Sequence, residues 1–239
     1  MSWTDKASIE HIKKIRDKFG VKTFVETGTH VGINVLTHLD NFDFVFSCEK
    51  ERKLFDISYN KANNYYDNNH TGIPGIFNEH SKVFLKWFRE LYDVDHKTAD
   101  SIYGEYIIFY LDAHFYDKKR PKGKGKFVVL DELKALKGFD KAIIIIHDFD
   151  NNLGHITYDG VSLDMNLVKK DLLKVNPNFK FYTNELSSCD IMKLEETSDK
   201  DMKENLKYAW SKPDKTYRGI LYCVPKKINI EGLREYEVF

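Results

Sequence analysis

The chain has 239 residues, of which 42% are hydrophobic, 31% charged and 14% aromatic, the ordinary make-up of a soluble globular protein with one large domain or two small ones. Its 37 basic and 37 acidic residues cancel, which excludes a global field drawing the chain to nucleic acid or to an acidic membrane. Three cysteines, Cys48, Cys189 and Cys223, stand far apart with no CxxC, so they read as reduced thiols of an intracellular protein and not as a disulfide framework or a zinc site.

The opening "MSWTDKASIEHIKKIRDKFG" lacks the apolar core of a signal peptide, and no apolar run reaches membrane-spanning length. Ile9, Ile12 and Ile15 recur at helical spacing, which predicts an amphipathic lead-in helix over 7–18. "VKTFVET" then reads as a buried strand, Gly28 to Gly32 as a turn, and Ile33 to Leu39 as the start of a helix. "FDFVFSCE" is a second strand ending at Glu49, followed by a helix from Lys50 to about Asn63 and a polar loop, "NNYYDNNHTGIP". A short strand over Gly75–Asn78 precedes a helix from Ser81 to about Tyr92.

"YIIFYLDAH" and "KAIIIIHDFD" are continuous apolar runs that end in titratable groups, the pattern of strands buried on both faces of a parallel sheet. Between them lie a basic loop, "DKKRPKGKGK" at 117–126, and a helix in "VVLDELKALKG". A helix over Leu163–Val175 precedes two more strands, "FKFYTNE" and "YRGILYCVP", separated by a charged surface insertion at 195–215. Strands and helices alternate throughout. The expected fold is one α/β domain over 1–239, with residues 1–20 as its lead-in: Rossmann-like and doubly wound, a mostly parallel seven-stranded sheet with an antiparallel edge strand.

In an open α/β sheet, ligands bind beyond the carboxyl ends of the strands. The first strand delivers Glu26 and the Gly28 turn, the second Glu49, the fourth Asp112 and His114, the fifth His147 and Asp148. Gly28 permits positive φ and Gly32 close packing of helix on strand, while Glu49 stands where a carboxylate accepts hydrogen bonds from ribose hydroxyls. Turn and acid together favour an adenosine-containing ligand. NAD(P) and S-adenosylmethionine both qualify, and the turn discriminates: a pyrophosphate is helped by GxGxxG, whereas here His30 occupies a glycine position. A carboxylate at Glu26 also repels a pyrophosphate and suits an amino or sulfonium group. The reading points to S-adenosylmethionine.

"VETGTHVG", "CEKE", "FYLDAHF", "LDEL" and "IIIHDF" resemble the corresponding segments of class I S-adenosylmethionine-dependent methyltransferases, nearest to the FkbM and macrocin O-methyltransferase-like branch, over roughly residues 20 to 225. The resemblance implies that Glu26, Thr27, Gly28, Thr29, His30 and Gly32 surround the methionine part, with Glu49 on the ribose, Asn78 and Ser81 near the adenine, and Asp112 against the cofactor. His30 departs from the pattern, many members having a further glycine there.

Methyl transfer to an alcohol needs alignment of the acceptor and removal of its proton. Asp112, His114, His147 and Asp148 are the candidate catalytic residues, with His114 or His147 as base. Asp112, Asp148 and His147 are also a candidate site for Mg2+ or Mn2+, which the macrocin-type resemblance allows. The expected acceptor is a hydroxyl of a sugar, a glycan or another small molecule, in a cytoplasmic protein. The basic loop without interleaved aromatics argues against nucleic acid, and the sequence leaves a homodimer open. Two alternatives remain: a metal-dependent enzyme on the same sheet without S-adenosylmethionine, and a non-catalytic nucleotide-binding module. The abundance of Asn, Lys and Ile hints at an AT-rich genome, as in some viruses, and a viral chain would then sit in the host cytoplasm.

Overall fold

The apolar runs of the sequence become the central strands of one sheet in the computed structural model, which describes residues 6–66, 71–94, 96–113, 127–151, 161–185 and 219–237. In chain order the elements are α1 (Lys6–Phe19), β1 (Thr23–Thr27), α2 (Ile33–Leu39), β2 (Phe44–Cys48), α3 (Arg52–Tyr66), β3 (Ile73–Phe77), α4 (Ser81–Val94) and α5 (His96–Tyr103). They continue with β4 (Ile107–Leu111), α6 (Val129–Ala135), β5 (Ala142–Ile146), α7 (Met165–Val175), β6 (Lys180–Asn184), β7 (Leu221–Val224) and β8 (Leu233–Glu235).

The sheet order is β3-β2-β1-β4-β5-β7-β6-β8. β1 to β5 run parallel, β7 is antiparallel to both neighbours, and β8 pairs antiparallel with β6. The order reverses between β1 and β4, which is where such sheets open a crevice. Register fixes what stands there. Thr27 is level with Cys48 and with Leu111, Leu111 is level with Ile146, and Cys48 is level with Phe77. The residues that follow these, Gly28, Glu49, Asn78, Asp112 and His147, therefore emerge along one edge.

Alternation along the strands divides the core. Val25, Phe109, Leu111, Ile144 and Ile146 face the layer of α4 to α7, with Phe84, Phe88, Leu133 and Leu172. Phe24, Ile108, Tyr110, Ile143 and Ile145 face the layer of α1 to α3, with Ile12, Ile15, Val35 and Leu39. Both faces of β4 and β5 are thus dry, the reason their sequences are unbroken apolar runs.

The doubly wound, mostly parallel fold is as expected, with three differences of detail. The described sheet has eight strands, because β8, a half-exposed Leu-Arg-Glu segment, pairs with β6 through its backbone without any apolar run. An antiparallel strand does stand at the edge, but it is β8; β7, also antiparallel to its neighbours, lies inside the sheet between β5 and β6. α5 forms where no element was expected, packing Ala99 and Tyr103 beneath α4. His114, the basic loop 117–126 and the insertion 195–215 lie outside the described residues. No helix among the described residues is long and apolar enough to cross a membrane.

Candidate functional site

Three alternate left-handed positions shape the turn after β1: Gly28 at φ 82°, His30 at φ 51° and Gly32 at φ 82°. The Gly28 and Thr29 N–H groups both donate to the Cys48 carbonyl, at 3.0 and 3.1 Å, which ties the turn to the end of β2. A Cβ on Gly28 would stand 3.1 Å from the Asp112 carbonyl oxygen and from Ala113 Cα, so glycine there lets the turn approach the end of β4 across the switch point. Gly32 meets Ser58 of α3 at the same separation. His30, at the glycine position of the sequence pattern, does adopt a glycine-like conformation, one that histidine tolerates better than most residues. Burial lowers its pKa to about 4, so its imidazole is neutral at pH 7.

Glu49 is fixed from both sides. Its Oε2 accepts the His30 N–H and its Oε1 the Glu51 N–H, each at 2.9 Å, while Asn78 Nδ2 donates to its main-chain carbonyl at 2.8 Å. Each carboxylate oxygen keeps further lone-pair capacity. The side chain faces a cleft of about 280 Å3 whose lining includes Gly28, His30, Glu49, Ser81 and Asp112. Lys50, His80 and Asp131 also line it, although the sequence did not single them out.

Thr27, Thr29, Gly32 and Asn78 do not line the cleft but hold what does. Thr27 Oγ1 accepts the Asp112 N–H at 3.2 Å, and the Thr29 and Ser47 hydroxyls are 2.5 Å apart. Glu26 differs most from expectation. It is fully buried behind the turn, where Asn34 Nδ2 donates to its Oε1 at 2.7 Å and Ser47 Oγ to its Oε2 at 3.1 Å. Burial raises its pKa from the usual 4.5 to about 8, so it is largely neutral at pH 7. A charged carboxylate facing a ligand is therefore not what this geometry offers at Glu26. The physical reason is strand parity: Glu26 shares a face with Phe24, toward α2.

The folded chain accordingly keeps a proton on Glu26 between about pH 4.5 and 8 that the unfolded chain has released. The contribution is complete below pH 4.5 and lost as pH rises through 8. Glu26→Gln, close in shape and unable to ionise, removes it. Urea denaturation from pH 5 to 8.5 should show the stability difference between variant and wild type moving steadily in the variant's favour; parallel curves would refute the assignment.

At the ends of β4 and β5 the structure brings together three of the four expected groups. His147 Nδ1 lies 3.1 Å from Asp112 Oδ1 and 3.3 Å from Asp148 Oδ1, and all three side chains are buried. One ligand atom from each falls within 4.8 Å of the other two. Asp112 Oδ2 is buried without a hydrogen-bond partner among the described residues. Asp148 adopts φ 56°, a conformation costly for a residue other than glycine and one that concentrates at functional sites. Two carboxylates and an imidazole with an unused buried oxygen fit a divalent cation such as Mg2+ or Mn2+.

One further group was missed. Glu132, on the buried face of α6 with Val129 and Leu133, is fully buried, and burial raises its pKa to about 7, offset in part by the Ser81 and Thr27 hydroxyls. A glutamate inside the apolar stripe Val129, Leu133, Leu136 was the available signal.

No protein-family model and no curated protein matches the chain by sequence. The fold does match solved structures. The Bacillus cereus O-methyltransferase in complex with S-adenosylhomocysteine aligns with 93% of this chain and 82% of its own at a TM-score of 0.50 and 11% identity. Magnesium protoporphyrin IX methyltransferase from Synechocystis with bound S-adenosylhomocysteine aligns at 0.51 and 11% identity, over 92% of this chain and 83% of its own. An S-adenosylmethionine-dependent methyltransferase from Clostridium acetobutylicum aligns at 0.50 and 8% identity, over 92% and 91%. At these identities the likeness is one of fold: the chain has the Rossmann-like α/β architecture that those proteins share.

Proposed function

We propose that the protein is an S-adenosylmethionine-dependent methyltransferase that methylates a hydroxyl group. The observation that carries this reading is Glu49, a carboxylate pinned at the end of β2 by two backbone N–H groups and facing the cleft beside the Gly28 turn. A carboxylate in that place accepts hydrogen bonds from the two ribose hydroxyls of an adenosyl group. The fold neighbours crystallised with S-adenosylhomocysteine support the same cofactor. His30 in the turn speaks against a dinucleotide, since a side chain stands where a pyrophosphate needs bare backbone.

The reacting end of the cleft in this reading is at Asp112, which lines it, with His147 buried against Asp112 and Asp148 buried against His147. Transfer of the activated methyl requires in-line alignment, water exclusion and a destination for the acceptor proton. His147, held between two carboxylates, accepts that proton and its positive charge is then stabilised by Asp112 and Asp148. In the metal-dependent form of this reading, Asp112, His147 and Asp148 would hold Mg2+ or Mn2+, which would supply Lewis acidity toward an acceptor hydroxyl. The finer assignment, a sugar or glycan hydroxyl as in the FkbM and macrocin-type branch, rests on the resemblance of the strand-end motifs. A cytoplasmic setting goes with it, supported by Cys48 and Cys223 being free and buried.

Calorimetric titration with S-adenosylhomocysteine, S-adenosylmethionine and NAD tests the cofactor. Binding of the first two and not of NAD is expected. NAD binding alone overturns the reading, and binding of none favours a metal-dependent enzyme that uses the same strand ends without S-adenosylmethionine.

A further inference from the structure

α4 carries an apolar stripe that the fold does not use. Val83, Trp87 and Leu91 follow each other at intervals of four residues and are 51%, 42% and 49% exposed, although the opposite face of the same helix, Phe84, Leu85, Phe88 and Tyr92, is buried. Large apolar side chains aligned along one helix face for about 12 Å are unlike the single exposed hydrophobics of an ordinary surface. The Trp87 ring is braced by Phe77 at 5.1 Å and Phe84 at 6.4 Å between centroids, so the stripe is preorganised.

The charges beside the stripe say what covers it. Along its flank, Lys82 and Lys86 occupy the N-terminal half of α4, and Glu90 and Asp93 the C-terminal half, where Arg89 pairs with Asp93 within the helix at 3.1 Å and leaves Glu90 as the main acidic partner. A helix with this arrangement is complementary to itself when reversed. If two copies pack antiparallel about a two-fold axis near Trp87, each flank meets the same flank of the other copy, end for end. Lys82 and Lys86 of one copy then lie beside Glu90 and Asp93 of the other, while Val83 meets Leu91 and the two Trp87 rings meet at the axis. A parallel two-fold pairing turns that flank toward the opposite one, where Phe84 and Phe88 are buried, and loses the match of charges. Lys86 and Glu90 already attract each other within the helix at 3.5 Å, and both are well exposed.

We infer that the protein is a homodimer built on an antiparallel α4–α4 contact centred on Trp87. The contact has a consequence for the site. Val83, the first residue of the stripe, also lines the cleft, so the second copy sits against the cleft rim. The inference stands apart from the cofactor assignment and survives its failure.

Sedimentation and mass measurements on the full chain test it. The wild type is expected to be a dimer at micromolar concentration, and Trp87→Asp, a change at a half-exposed position, to weaken the dimer by at least about thirtyfold. Lys86→Glu and Glu90→Lys should each weaken self-association, whereas an equimolar mixture of the two variants should form a heterodimer, because each mutant charge then meets its opposite. A monomeric wild type, a Trp87→Asp protein as dimeric as the wild type, or a mixture that associates no better than either variant alone overturns the proposal.

Discussion

Replacing Glu49 by alanine should weaken S-adenosylhomocysteine binding by about a hundredfold or more. Two ribose hydroxyls donating to one carboxylate are charge-assisted hydrogen bonds, each of about 1.5–3 kcal/mol, and about 3 kcal/mol in total corresponds to that factor. Glu49 has a second duty that complicates a simple reading, since it also accepts the His30 and Glu51 N–H groups. Loss of affinity could then come from a loosened turn. A cycle separates the two causes. An S-adenosylhomocysteine analogue lacking the ribose hydroxyls should bind wild type and Glu49→Ala with similar affinity if Glu49 acts on the ribose. If Glu49 acts through the turn alone, the analogue should suffer as large a loss as the parent ligand. Glu49→Gln, which keeps one acceptor, is expected to fall between wild type and alanine. Calorimetry reads all of these, and an unchanged affinity in Glu49→Ala ends the ribose assignment.

The prominence of Glu49 was legible in the sequence because topology does most of the work. Once "FDFVFSC" is a parallel strand beside "TFVET", the next residue must emerge at the edge where ligands bind. The same logic located Asp112, His147 and Asp148, each directly beyond an apolar run. Glu26 was misread for a reason equally physical. It stands inside its strand and not after it, so parity, not the turn, decides where it points. Two polar residues, Asn34 and Ser47, were available as partners, one on the buried face of α2 and one within β2. A polar residue on an otherwise apolar face announces a buried network more reliably than it announces a ligand. The elements that went unread follow the same division. β8 is held by backbone pairing to β6, and backbone bonds leave little trace in side-chain periodicity. The place of β7 inside the sheet depends on long-range pairing that no local window contains.

Asp112→Asn should strongly weaken divalent-cation binding at the strand-end cluster and, with it, remove most of the methyl transfer. The wild-type cluster is expected to bind Mn2+ in a calorimetric or spin-resonance titration, because two carboxylates face one imidazole and Asp112 Oδ2 has no partner among the described residues. Exchanging one of the two charged oxygen ligands for a neutral amide oxygen should lower that affinity by at least about a hundredfold, beyond the 10–100-fold typical of groups that only orient a ligand. The competing possibility is that His147 acts alone as a base between its two carboxylates. Both readings predict a large loss of turnover on mutation, about 100- to 10000-fold for a lost proton acceptor, so activity of the variant cannot separate them. Chelation can. If a cation is held, excess EDTA abolishes transfer by the wild type and added Mg2+ or Mn2+ restores it. If His147 works alone, activity in EDTA is full. His147→Gln sharpens the distinction: amide oxygen can still ligate a hard cation but cannot take a proton at neutral pH, so measurable Mn2+ binding with lost turnover assigns the proton to His147 and the cation to the carboxylates.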